Sequence, residues 1–431
     1  KWMAFKVYGR PDPNGDDNPT LGRSTSLQYY KKALSYFMPN KLASWNSLIR
    51  CGNPTRSIPV NELIKAVKKK EVRKQGKQSA AVRPLESDEF TNTITCLRSC
   101  SDGVRRYQMP ALCTFQFQMV GRIDDCCQLE KEDVLPCVRF PFALICQLCW
   151  SKNVKEEREV PKQILLGAIS PLYCVLLSMS IHLETESMDR GASPENPWVF
   201  PLETNNPTVA KKRAYEILKE EWNNGEFQRL NSGPIGTHSL RKYPSTYSQQ
   251  CGCSRYNIDF RGRWKRTKKQ IDTYIDVELP YPDATKVAAS LYIGGPCKYV
   301  LVENCGLLDE WLLEYVVVPN ISLQYPRAVA LTLARPLLWA SFESTLQEYL
   351  PPALTRQIRS AYAFARRLPQ GKNPVEKRLV VVTGSEAELY IDEIDAEFMH
   401  TVGGQEDGSG GVVAQVGLTG AKGTEIRQVS Q

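Results

Sequence analysis

The chain holds three histidines, and one of them, His238, stands three residues before Arg241 in Thr237-His238-Ser239-Leu240-Arg241. On a helix that spacing puts both side chains on one face. Trp264 follows Arg241 by 23 residues, Tyr274 follows Trp264 by ten, and Gly262 precedes the tryptophan by two. These residue types suit chemistry on an anionic oxygen centre. A guanidinium stays charged and donates two parallel hydrogen bonds, which an ammonium cannot match. An imidazole moves protons near neutral pH. An indole N–H donates but never accepts. A phenol has an unperturbed pKa near about 10, so it attacks only where a neighbour helps remove its proton. A surface helix often carries an HxxR by chance, so the downstream spacing carries the argument. The bland alternatives are a core aromatic at Trp264 and a core tyrosine at Tyr274; His182 and His400 lie outside any motif and read as structural.

Positioning such residues needs helices and turns. Apolar periodicity predicts helices over 27–37, 41–49 and 60–72, with 1–19 read as loop from its Pro, Gly, Asp and Asn content. Residues 75–82 are polar and read as a linker. Helices are then expected over 88–99, 111–129, 171–185 and 208–222, and 236–251 and 257–275 complete that unit. The apolar runs 143–150 and 160–167 flank a charged stretch, a hairpin pattern. Further on, 307–317, 328–350 and 352–368 carry helical patterns, 378–383 and 387–391 read as short strands, and the Gly-rich 402–431 reads as disordered.

The 431 residues suit two or three domains, and 42% hydrophobic with 24% charged residues is an ordinary globular composition. No apolar stretch is long enough to span a membrane, and the first ten residues lack the apolar core of a signal peptide. The net charge is +8, concentrated in two basic runs: Lys65 to Lys77, and Arg261, Arg263, Lys265, Arg266, Lys268 and Lys269. Each run is either a solvated face or a contact for a polyanion. The fourteen cysteines include Cys146-x-x-Cys149, but no second pair follows at zinc-site spacing. Free, mostly buried thiols are expected, which suits a reducing, intracellular compartment.

The ordered set resembles the tyrosine recombinase (phage-integrase) family. That family carries HxxR, then a His or Trp, then a nucleophilic tyrosine. Here the gap from Trp264 to Tyr274 is one residue longer than the family's usual spacing, and the extra residue falls within 265–269. The family's first arginine opens a helix in a box like TGLRISEL. Val120-Gly121-Arg122-Ile123-Asp124-Asp125 is its counterpart, with Arg122 at the arginine and Asp125 at the acidic position. The family's lysine sits at a β-hairpin between the boxes, where Lys152 is the best match and Lys155 the alternative. The resemblance covers about 83–276, and within the family the style of 236–242 and 262–266 is closest to the eukaryotic transposon-borne recombinases called Cryptons.

The resemblance implies an α+β, mostly helical fold. A catalytic domain at 83–280 with a small β-hairpin sheet would follow a short helical DNA-binding region at 1–78. A helical extension of unassigned role at 285–400 and the tail would come after it. It implies a DNA strand transferase that uses no metal or other cofactor. Tyr274 would attack phosphorus to form a 3′-phosphotyrosyl bond, with His238 as base. Arg122 and Arg241 would clamp the phosphate, and Trp264 would donate to it or buttress the pocket. Lys152 would protonate the leaving 5′ oxygen, and Asp125 would orient its neighbours. Lys68, Lys69, Lys70, Arg73, Lys74, Lys265 and Arg266 are the expected DNA contacts. The expected partners are double-stranded DNA and three further copies in a tetramer on paired sites, with no membrane. The expected location is nuclear in a eukaryote and otherwise cytoplasmic. The alternatives are a catalytically inactive DNA-binding or scaffold protein that keeps the fold, and a type IB topoisomerase-like enzyme. The latter's box usually has Lys-x-x-Arg where this chain has His238-x-x-Arg241.

Overall fold

The computed structural model describes residues 1–137, 142–151, 160–190, 196–224, 227, 229–264, 287, 290–293, 296–299, 309–317, 320–366 and 380–381. The chain divides into two units, Lys1–Ala81 and Val82–Gln431. Across the described residues the fold is α+β and mostly helical.

The first unit holds α1 (Trp2–Tyr8), α2 (Ser24–Phe37) and α3 (Ile58–Val72). Met3, Val7, Leu27, Ile64 and Val67 form its small core. The Glu71 carboxylate accepts from Ser24 N at 2.6 Å and Ser24 Oγ at 2.8 Å. A carboxylate there meets the positive end of α2, where the free N–H groups need an acceptor. Helix α1 corrects the loop reading of 1–19: Met3 and Val7 are one turn apart and both bury. The helix expected over 41–49 is also absent. The Asn46 side chain accepts from Leu48 N and Ile49 N, and Asn46 bridges Cys51. That local Asn turn competes with helix, and Leu42, Leu48 and Ile49 stay exposed, so no burial rescues it.

The second unit is built around α5 (Met109–Gln118), all ten residues of which are buried. It packs against α7 (Val175–Arg190) and α9 (Thr237–Gln250), with α4 (Ser87–Ser99) alongside. Phe90, Phe117, Tyr173 and Tyr243 stack where these elements meet, with ring centroids 4.9–5.7 Å apart. Each such pair adds roughly 0.5–1.5 kcal/mol beyond its buried area. The single helix expected over 111–129 is two. Val120 takes a left-handed φ of 46°, and the chain restarts as α6 (Ile123–Cys127). Gly121 sits at the break, where a Cβ would lie 2.7 Å from Cys126 Sγ.

The hairpin pattern resolves into β2 (Leu144–Cys146) and β3 (Gln163–Leu165), antiparallel with Leu144 opposite Leu165. A strand not foreseen, β1 (Val134–Pro136), pairs with β2 to make a three-stranded sheet. A second small sheet joins β4 (Gly167–Ala168), β5 (Pro296–Lys298) and β6 (Val380–Val381). Helix α8 (Pro207–Asn223) packs on α6, and α10 (Arg255–Arg261) follows α9. The later helices are α11 (Asp309–Tyr315), α12 (Ile321–Gln324), α13 (Arg327–Phe342) and α14 (Pro352–Arg366). Helix α13 lies against α7, and its Leu333, Leu337 and Leu338 belong to the same core as α5. The described helices of 309–366 therefore contribute to this unit's core. Among the described residues no helix is long and apolar enough to cross a membrane.

Glu184 of α7 is wholly buried and accepts from Ile321 N at 3.3 Å, where α12 begins. Burial pushes its carboxyl up to about 7, against the opposing hydrogen bonds from Ile321 and Asn320. A raised carboxyl stabilises the fold fully below the ordinary carboxylate range and loses that contribution as pH rises through about 7. Glu184→Gln should therefore melt higher than the parent at pH 8, by about 1–3 kcal/mol, and the gain should vanish near pH 4. Thermal melts across that range measure the difference.

Candidate functional site

Arg122 leaves the break after α5 in extended conformation and caps α6, so the helix begins at the residue that follows it. One turn later Asp125 points back, accepting from Arg122 N at 3.5 Å. Gln116 of α5 joins this turn to the start of α9: its amide donates to Gly121 O at 3.3 Å and to Thr237 O at 3.2 Å. The side chain thus reaches a carbonyl 121 residues away in sequence. His238 is exposed in the first turn of α9, and Arg241, one turn on, is buried.

The turn after α10 closes the site. Arg241 Nη2 donates to Gly262 O, and its guanidinium lies 4.5 Å from the centre of the Trp264 ring. The ring lies against Gly262, where a Cβ would come within 1.9 Å of it. That contact, rather than backbone freedom, is why glycine stands two residues before the tryptophan. The half-buried indole is a cation–π partner for Arg241.

At the centre is the Asp125 carboxylate, 2% exposed. Arg122 Nη1 lies 3.8 Å from one oxygen, and Arg241 Nη1 and Arg263 Nη2 lie 3.6 and 3.8 Å from the other. Ser151 Oγ donates to it at 3.3 Å. Three guanidiniums share one carboxylate at distances longer than a hydrogen bond. Nη1 of Arg122 and Nη1 of Arg241 are buried and make no hydrogen bond among the described residues. Burial pushes Arg241 down to about 9, with the Arg263 and Arg122 charges acting the same way and Asp125 opposing. A buried cluster with excess positive charge and idle N–H donors is costly unless paired, and an anion placed there would offset that cost. Arg122 and Arg241 offer the forked donors that a phosphate's oxygens match.

Sequence reading placed Arg122, Asp125, His238, Arg241 and Trp264 at one site, and the structure brings these five together. Lys152, Tyr274, Lys265 and Arg266 lie outside the described residues. Lys68, Lys69, Arg73 and Lys74 are exposed at the end of the first unit, but Lys70 donates to Gly15 O and Asp17 O and is engaged in that unit's own packing. Arg261 and Arg263, counted in a basic run left open between a solvated face and a polyanion contact, are not on the surface: they are 0% and 5% exposed, and both donate to buried carbonyls. Arg263, Ser151 and Gln116 were missed. Nothing in their spacing marks them, since each reaches the site through a contact distant in sequence.

His182 is buried, hydrogen-bonded to Val199 O at 2.7 Å and stacked on Phe200. Among the described residues no group of three or more His, Cys, Asp or Glu side chains could hold a metal ion. Cys146 is buried, and Cys149 Sγ donates to Asp133. No family model, curated protein or solved structure matches the chain.

His238 is held below the ordinary histidine range by partial burial and then by the Arg241, Arg122 and Lys242 charges, with Asp125 opposing. An anion in the cluster offsets that repulsion and should raise its basicity. NMR titration of the imidazole should give a midpoint that rises when inorganic phosphate is added. It should rise also in Arg241→Met without phosphate. A lowered histidine keeps its stabilising contribution above its unfolded pKa and loses it as pH falls through the folded value, so phosphate should also extend stability to lower pH.

Proposed function

We propose that the chain breaks and rejoins DNA as a site-specific recombinase of the tyrosine recombinase type, from a mobile element. The observation that carries this reading is the arginine cluster: guanidiniums from both halves of the predicted motif converge on one buried carboxylate and keep N–H donors free. A scissile phosphodiester is the anion such a site suits, since negative charge grows on its oxygens in the transition state and fixed cations oppose no reorganisation.

In this reading Tyr274 Oη forms a bond to phosphorus as the bond to the 5′ oxygen breaks. His238 takes the phenolic proton. Its lowered pKa keeps it neutral at pH 7, and the incoming phosphate raises its basicity as it binds. Lys152, which follows Ser151 in sequence, gives a proton to the leaving 5′ oxygen. Arg122 and Arg241 hold the non-bridging oxygens, and Trp264 keeps Arg241 aligned while its indole N–H can only donate. The covalent intermediate conserves the energy of the broken bond, so a 5′ hydroxyl can displace the tyrosine without a nucleotide cofactor or metal. Double-stranded DNA is the partner, bound by a tetramer on paired sites, with the location nuclear in a eukaryote. Exposed Lys68, Lys69, Arg73 and Lys74 supply salt-dependent contacts to the backbone.

The longer gap between Trp264 and Tyr274 favours one second reading, a module that binds DNA through this cluster without cutting it. A nicked suicide substrate built from the native DNA ends separates the two. The parent should give a denaturation-resistant protein–DNA adduct and Tyr274→Phe none. Binding by both proteins with an adduct from neither would sink the enzymatic reading and leave the binding module.

A further inference from the structure

Arg261 and Arg263 stand on either side of Gly262 and are both buried, yet only one of them reaches the anion cluster. Arg261 Nε donates to Gln118 O at 2.8 Å and its Nη2 to Ile164 O at 3.2 Å. Through these carbonyls it joins the end of α5 to β3. Arg263 Nη1 donates to Gln163 Oε1 at 2.6 Å, to Arg261 O at 3.1 Å and to Met119 O at 3.3 Å, while Nη2 faces Asp125 at 3.8 Å. Gln163 in turn donates from Nε2 to Arg261 O at 2.9 Å. The residue holding this guanidinium has a left-handed φ of 54°, uncommon outside glycine, and the chain runs straight on to Trp264.

We infer that Arg263 is a positioning residue of the anion site: it competes with Arg122 and Arg241 for the Asp125 carboxylate, and through Gln163 it fixes β3 against the turn that carries Trp264. This rests on the cluster being a phosphate site. With only Arg122 and Arg241 present, Asp125 could pair closely with both, and their N–H donors would be occupied. The third guanidinium holds part of the carboxylate's field and leaves the outer two short of negative charge. Its side chain is 1% exposed, so it acts through Asp125 rather than on the bound anion. Gln163 supplies the positional link. One amide side chain accepts from Arg263 and donates to Arg261 O, so β3, the end of α5 and the α10 turn are fixed to one another by a closed set of hydrogen bonds.

The experiment measures binding of inorganic sulfate, a dianion, and nitrate, a monoanion, to the full chain by calorimetry. The variants are Arg263→Met, Arg263→Lys and Gln163→Leu, with Arg122→Met as the control that removes a direct ligand. The parent should bind sulfate more tightly than nitrate, and Arg122→Met should lose both. Arg263→Met should lose about tenfold in sulfate affinity and less in nitrate, so the ratio falls; Arg263→Lys, which keeps the charge, should keep the ratio. A merely structural arginine would lower both anions alike and be impaired equally as lysine, and that result overturns the charge argument. Folded Arg263→Met with parental affinities overturns the inference outright. If Arg263→Met does not fold, Gln163→Leu decides: weaker binding of both anions at an unchanged ratio supports the positional link, and parental binding overturns it. A folded parent that binds neither anion removes the phosphate-site reading itself, and the inference with it.

Discussion

The interaction on which the second unit's site depends is the sharing of Asp125 among three guanidiniums. One buried carboxylate cannot satisfy all three, and the geometry shows it: each contact is 3.6–3.8 Å rather than a hydrogen bond. Removing two or three cations from water costs several kcal/mol each unless they are paired. The apolar core around α5 offsets that cost, and a bound anion would relieve it. The arrangement leaves Nη1 of Arg122 and of Arg241 buried without a hydrogen bond among the described residues.

The same site explains polar residues that seem misplaced in a core. Gln116 and Gln118 lie in a helix whose every residue is buried, where amides are costly without partners. Gln116 donates to Gly121 O and Thr237 O, and Gln118 to Leu291 O. Each fixes a backbone segment that no hydrophobic contact could place in register, because a carbonyl is a directional target and an apolar surface is not. Arg261 and Arg263 do the same for the carbonyls left over at the end of α5. Buried polar side chains therefore set the geometry, while the aromatic cluster of Phe90, Phe117, Tyr173 and Tyr243 supplies the cohesion.

The helices after residue 309 contribute to the same core. α13 lies along α7 with Leu333, Leu337 and Leu338 buried, and Arg98 of α4, itself buried, stacks on Tyr349 at 4.1 Å. β5 and β6 complete a sheet that starts at β4, immediately after the strand that Arg261 and Arg263 grip. Truncation before these helices would expose the buried face of α7 and loosen the scaffold on which β3 is held. The first unit rests on far less: five buried side chains and the Glu71 carboxylate at the start of α2.

The sequence by itself determined the periodic and local parts of this protein. α2, α3, α4 and α8 follow from 3.6-residue spacing of apolar positions, and the β2–β3 hairpin from two apolar runs around a charged stretch. Five members of the candidate site were legible because their residue types and order are distinctive. Only the tertiary structure decided the rest. Val120 breaks a helix that periodicity runs straight through, because Gly121 must meet Cys126 and Arg122 must face Asp125. Two arginines in a basic run turn inward and donate to carbonyls more than ninety residues away in the chain. A sequence states which groups carry charge and hydrogen-bonding capacity. Which of them are removed from water together depends on long-range packing, and that burial gathers three guanidiniums around one carboxylate.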